Sequence, residues 1–171
     1  MRATHLPRRA VFGLGSNLTD RLAHLQLAID LILAEPGIAA VGISRVYETA
    51  PVGGPEQPDY LNAVLVTDTA LEPATLLAVA QRCDQVAGRE RSERWGPRTL
   101  DVDVLAVGDV VSDDPALLLP HPRAAERAFV LQPWADVDPT FALGGVTVTE
   151  LLARVDASGV RLVEEHLRGA A

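Results

Sequence analysis

The sequence predicts an α+β domain built on an antiparallel sheet with helices packed on it. Three observations lead there. Two segments repeat apolar residues at helical spacing, and four short segments read as strands. Along the chain they alternate β-α-β-β-α-β, the split βαβ pattern. The 171 residues are 48% apolar and 22% charged, which suits one domain spanning 1–171 with one core, without disulfides or a structural metal.

Each element has its own signal. Residues 10–15 (AVFGLG) read as a short buried strand ending in glycines. Gly13-Leu14-Gly15 makes a poor dinucleotide fingerprint, because position 18 is Leu; a tight turn is expected there. Thr19 or Asp20 caps a helix to about Ala34, with Leu22, Leu25, Ile29 and Ile32 on one face and Pro36-Gly37 at its end. Residues 38–47 are rich in β-branched and small side chains and predict one strand. Residues 49–59 hold three prolines and two glycines and predict a loop. Residues 60–68 (YLNAVLVTD) predict the third strand.

Pro73 suits the first turn of a second helix, which presents Leu76, Val79, Cys83 and Val86 on one face and stops at Gly88. A second irregular loop covers 89–98, and 99–107 (TLDVDVLAV) predict the fourth strand. The order matches a ferredoxin-like core, a four-stranded antiparallel sheet with both helices on one face. C-terminal additions follow. Residues 127–131 start a strand or a short helix, and Thr149 caps a helix through Val155.

Charge narrows the function. Fifteen cations against 23 carboxylates give −8, so neither a nucleic acid nor a membrane surface is an expected partner. All fifteen cations are arginine; without lysine there is no Schiff-base, P-loop or kinase-type strand lysine. The single Cys83 permits no internal disulfide and reads as a buried core thiol. MRATHLPRR lacks the apolar run of a signal peptide, and Asp30 breaks the longest helical apolar stretch, so a cytoplasmic protein is expected.

Chemistry concentrates around the fourth strand. Asp101 and Asp103 are two apart, so both carboxylates project from one face, roughly 6–7 Å apart, while Leu100, Val102 and Val104 face the core. A bare D-x-D also describes a solvated strand face. The preceding loop adds Arg89, Arg91, Arg94 and Arg98, with Arg82 a turn or two earlier, and Gly88, Gly96 and Pro97 give it the irregularity of a lid. Arginines beside metal-binding carboxylates are the equipment of phosphoryl transfer: the cations offset polyphosphate charge, and the carboxylates hold the Mg²⁺ that bridges it. Tyr60, Asn62, Val64 and Val66 share a strand face, where a ring and an amide either read a flat heterocycle or form an ordinary half-buried strand.

The run RWGPRTLDVDVL at 94–105 resembles the signature of the 6-hydroxymethyl-7,8-dihydropterin pyrophosphokinases, enzymes of folate biosynthesis. GLGSNL at 13–18, YET-P at 47–51, QPDYLNAV at 57–64, and LPHPR with ERAFVL within 118–131 agree in order. The resemblance spans roughly 10–143.

It implies transfer of pyrophosphate from ATP to 6-hydroxymethyl-7,8-dihydropterin, leaving AMP, with two Mg²⁺ ions accompanying ATP. By the same resemblance Asp101 and Asp103 hold the metal, and Arg89 and Arg98 join them as catalytic residues. Tyr60 and Phe129 sandwich the pterin, Asn62 reads its edge, Thr49, Pro51, Val52 and Gly53 line its pocket, and Trp95 closes over it. Gln81, Asp84, Arg91, Arg94, Arg98, His121 and Arg127 engage ATP. Two positions depart from the family pattern: Asp84 stands where Glu is common, and Ala50 takes the second place of T-P-P. A monomer is expected. The alternatives are a phosphotransferase that releases ADP and a catalytically silent ferredoxin-like binding module.

Overall fold

The computed structural model describes residues 6–88 and 99–169. Strand β1 (Arg8–Ser16) enters helix α1 (Arg21–Ala34), which Asp20 caps by accepting the Ala23 N–H at 3.1 Å. β2 (Ile38–Ile43), β3 (Tyr47–Thr49) and β4 (Tyr60–Thr69) follow. Helix α2 (Pro73–Val86) starts on its proline and ends before Gly88 at φ +73°. The edge strand β5 (Asp101–Val107) comes next, then a 3₁₀ turn (Ala124–Glu126) and α3 (Ala128–Val137). A small hairpin of β6 (Ala142–Leu143) and β7 (Val146–Thr147) leads into α4 (Val148–Leu152), and β8 (Arg161–Leu162) closes the described chain.

The sheet runs β5-β1-β4-β3-β8, with β2 also pairing β4, and every pairing in it is antiparallel. Its four expected strands are therefore joined by two more elements. The predicted strand over 38–47 is divided: β3 pairs the first half of β4 and β2 the second. Ser44 makes the break, since its hydroxyl, rather than a backbone carbonyl, accepts the Val64 N–H at 2.8 Å.

Both faces of the sheet are covered. On one face, Leu25, Ala28, Ile29 and Ile32 of α1 and Leu76, Val79, Ala80 and Cys83 of α2 pack on Phe12, Leu14, Leu65, Val102 and Val104. On the other, Leu131 and Trp134 of α3 and Leu151 of α4 pack on Val11, Val64, Val66 and Leu105. Cys83 is fully buried, and burial pushes its thiol up to about 11.

Three local expectations change, and the open choice between strand and helix after Arg127 is settled. Val86 is 54% exposed, because buried Ala80 and Asp84 turn the helix face away from it. Residues 128–137 form a helix, since they carry apolar side chains onto the second sheet face. Thr147, not Thr149, caps the next helix by accepting the Glu150 N–H at 3.2 Å, and that helix stops at Leu152. Gly13-Leu14-Gly15 is no turn: it lies inside β1, paired to β4 on one side and β5 on the other.

A cleft across the sheet face

The open end of the second sheet face holds a cleft of about 780 Å³, a size suited to small-molecule binding. Its floor is built from alternate residues of three strands. Gly15 of β1 lies opposite Asn62 of β4 and Asp101 of β5; Gly13 lies opposite Val64 and Asp103. Two rows thus cross the sheet, each with an aspartate at one end and a β4 side chain at the other. Between them runs a lane where the glycines carry no side chain and Leu105, Asn62 and Tyr60 approach closely. Two strand spacings separate Asp101 from Asn62, about 10 Å.

Both glycines are used for close approach. A Cβ on Gly15 would sit 3.4 Å from Asn62 Oδ1 and 3.6 Å from the Tyr60 ring, and one on Gly13 would sit 3.3 Å from Leu105. Either methyl would stand up in the lane. The expected facing of β5 holds: Leu100, Val102 and Val104 are buried in the helical core, while Asp101 and Asp103 line the cleft.

Asn62 is 6% exposed, and its Nδ2 donates to Thr49 Oγ1 at 2.8 Å. That bond leaves Oδ1 over Gly15, facing the cleft. Tyr60 lies two residues before it on the same face, and Ala50, Pro51, Val52 and Gln57 from the loop that precedes β4 complete this end. Gly53 takes φ +70° in the loop and is not among the cleft-lining residues.

The opposite wall comes from 121–130. The Arg127 guanidinium lies 5.5 Å from the centre of the Phe129 ring, and both line the cleft. His121 is held through its backbone N–H, which donates to Leu105 O at 2.8 Å, and through its ring, where Nδ1 accepts the Arg123 backbone N–H at 3.2 Å. In the neutral ring the proton therefore sits on Nε2. Burial, and then the Arg127 charge, holds this imidazole below its ordinary 6.5.

Two further residues that the resemblance assigns to ATP sit on α2. Gln81 is exposed on α2, and Asp84 is 7% exposed beside the edge strand β5, where its Oδ1 accepts the Val102 N–H at 3.1 Å. Neither lines the cleft. Arg89, Arg91, Arg94, Trp95 and Arg98 lie outside the described residues. Gln57, Arg123 and Glu126, which stand in the family motifs without an assigned role, and the Asp156–Val160 turn, which stands in none, also line the cleft.

Asp101 and Asp103 fit a Mg²⁺ site by donor chemistry. Among the described residues no cluster of three or more His, Cys, Asp or Glu side chains forms a closed metal cage. Two carboxylates facing an open cleft leave coordination positions for water and phosphate oxygens, as this hard ion prefers. No helix among the described residues is long and apolar enough to cross a membrane.

Residues 11–139 match the model of the family described as 7,8-dihydro-6-hydroxymethylpterin-pyrophosphokinase. A Methylorubrum extorquens protein named 2-amino-4-hydroxy-6-hydroxymethyldihydropteridine pyrophosphokinase is 46% identical over 91% of this chain and 99% of its own. The proteins of that name from Mycobacterium tuberculosis and Pseudomonas aeruginosa are 44% and 40% identical, over 90% and 95% of this chain and 89% and 99% of theirs. Among solved structures, a wild-type Plasmodium falciparum HPPK-DHPS chain with pteroate matches 86% of this chain at TM-score 0.66 and 14% identity. This chain spans 44% of that longer one, and at that identity the likeness concerns the fold.

Proposed function

The chain belongs to the 7,8-dihydro-6-hydroxymethylpterin-pyrophosphokinase family, and from that premise we propose that this cleft performs the family's reaction. The terminal pyrophosphate of ATP moves onto the hydroxymethyl group of 6-hydroxymethyl-7,8-dihydropterin, and AMP leaves. One observation carries the assignment of the site: Asp101 and Asn62 stand on the same sheet face, at the two ends of a glycine lane.

The division of labour follows from the side chains. Tyr60 and Phe129 offer ring faces to a flat heterocycle from the two walls. Asn62 Oδ1 accepts from its N–H edge, and the Thr49 hydroxyl, whose oxygen already accepts from Asn62, has its proton left to donate. This orientation directs the hydroxymethyl arm along the lane toward Asp101 and Asp103. Those two carboxylates hold Mg²⁺, two ions with ATP. Bound there, Mg²⁺ would supply positive charge to offset that of the phosphates. His121 Nε2–H, Arg123 and Arg127 face the polyphosphate as donors. Arg89 and Arg98 take catalytic roles, Arg91 and Arg94 bind ATP, and Trp95 closes the site, by the family resemblance. The alcohol oxygen bonds to the β-phosphorus as the bridge to the α-phosphate breaks. The bridging electron pair departs with AMP, and the hydroxyl proton passes to solvent.

The test resolves nucleotide products from ATP, Mg²⁺ and the hydroxymethyl-dihydropterin. AMP and the pterin diphosphate should form in equal amounts; ADP as the product overturns the reading.

His121 supplies a pH-dependent check. With its folded pKa below the unfolded value, the unfolded chain binds the extra proton first. Its contribution is complete above about pH 6.5 and is lost as pH falls through the folded pKa. A bound polyphosphate favours the imidazolium, so the NMR titration of His121 should move upward with Mg²⁺ and a non-hydrolysable ATP analogue. No movement would place His121 away from the phosphates.

A further inference from the structure

The chain beyond residue 139, where the family match ends, returns to the cleft. After α4 it makes a turn in which Asp156 Oδ1 accepts the Ser158 N–H at 2.9 Å and Val160 N–H donates to Ala157 O at 3.0 Å. It then adds β8 to the outer edge of β3, with Tyr47 opposite Leu162 and Glu48 opposite Arg161. Val163 N–H continues the pairing to Val46 O at 3.0 Å. Val163 and Leu167 pack on the helical core, and Gln26 of α1 exchanges two 2.8 Å hydrogen bonds with the Arg168 backbone. The segment is thus a strap anchored at both ends, with Asp156, Gly159 and Val160 lining the cleft.

Arg161 links the strap to both ends of the loop over 50–58. Its Nη2 donates to Glu48 Oε1 at 2.9 Å, just before that loop, and to Asp59 Oδ2 at 3.0 Å, just after it. Arg21 repeats the pattern from α1, donating to Glu48 Oε2 at 2.7 Å and Asp59 O at 3.0 Å. The paired guanidinium groups hold the Glu48 carboxyl below the usual range, Arg21 contributing most. An exposed ion pair alone contributes little. These bonds, however, fix the end-points of a loop whose Ala50, Pro51, Val52 and Gln57 line the cleft, and ordering such a loop in advance lowers the entropy lost on binding.

We propose that this strap is the outer wall of the pterin half of the cleft, and that Arg161 is a positioning residue for the pterin-binding loop. The inference rests on the assignment of that half to the pterin. Arg161→Ala should raise the pterin Kd and KM about three- to tenfold, with kcat and the affinity for a non-hydrolysable ATP analogue unchanged. Arg161→Lys should restore part of the loss. Gly159→Leu tests the wall without the latch: a Cβ there meets nothing within 4 Å, so the fold accepts it, and the larger side chain should weaken pterin binding alone. The measurement is fluorescence titration of each variant with pterin and with the ATP analogue, alongside melting curves. Unchanged pterin affinity in Arg161→Ala, or equal loss of both ligands in either variant, overturns the proposal. A wild-type protein that binds no pterin removes the cleft assignment itself, and this inference with it, an outcome distinct from a variant that matches a competent wild type.

Discussion

Replacing Asp101 or Asp103 by Asn is expected to lower turnover by several orders of magnitude while leaving the fold intact. Asn keeps the size of Asp and removes its charge. The core-facing side of β5 is made by Val102 and Val104, and its pairing to β1 is through backbone, and both of these stay in place in either variant. The two carboxylates share one face a single pleat repeat apart, so removing one also removes like-charge repulsion. The melting temperature in chelator should stay level or rise. Turnover should collapse, because a pyrophosphoryl group carrying several negative charges has lost part of its metal site. A structural role predicts the opposite pair of results: a lower melting temperature and a near-normal rate. The decisive measurements are melting curves with chelator and rates at saturating Mg²⁺ for wild type and both variants. A variant retaining more than about a tenth of wild-type turnover, about 1.4 kcal/mol of barrier, shows that its residue is not a catalytic metal ligand.

The facing of these two aspartates is legible in the sequence because the chain alternates cleanly from Leu100 to Val104, before the register shift at Leu105. Leu100, Val102 and Val104 could only be core, which fixed the facing of Asp101 and Asp103. Tyr60, Asn62 and Val64 were legible in β4 for the same reason. What local pattern does not carry is register. Gly13 and Gly15 suggest a turn when read alone; their use is visible only once β4 and β5 flank them and the missing Cβ atoms open the lane. The break between β2 and β3 was hidden for a related reason, since it depends on one serine hydroxyl meeting an amide 20 positions away. The family pattern assigns Asp84 to ATP, and local pattern gives no sign of its contact with β5. In the fold it is buried against the backbone between the two cleft aspartates. The strap over 156–163 has no apolar periodicity of its own, and its place beside β3 comes from tertiary pairing and the Arg161 bonds.

Asn62→Ala should weaken pterin binding by about 1–3 kcal/mol, the cost of leaving a polar edge unpaired, and should leave ATP binding unchanged. The expected asymmetry comes from position. Asn62 stands at the β4 end of its row, about 10 Å from Asp101 at the other. Removal of its amide also takes away the donor to Thr49 Oγ1, so two polar groups of the proposed pterin half change together. The Ala side chain leaves the pairing of β4 with β1 and β3 in place, so the fold should lose little. Thr49→Val separates the two contributions: it keeps the β-branched shape on β3 and removes only the hydroxyl. Its loss should be smaller than that of Asn62→Ala, and the double variant should fall short of the sum, because the two side chains share one hydrogen bond. Calorimetric titration of pterin and ATP analogue into the three variants measures this directly. Equal weakening of both ligands by Asn62→Ala would move the heterocycle away from β4.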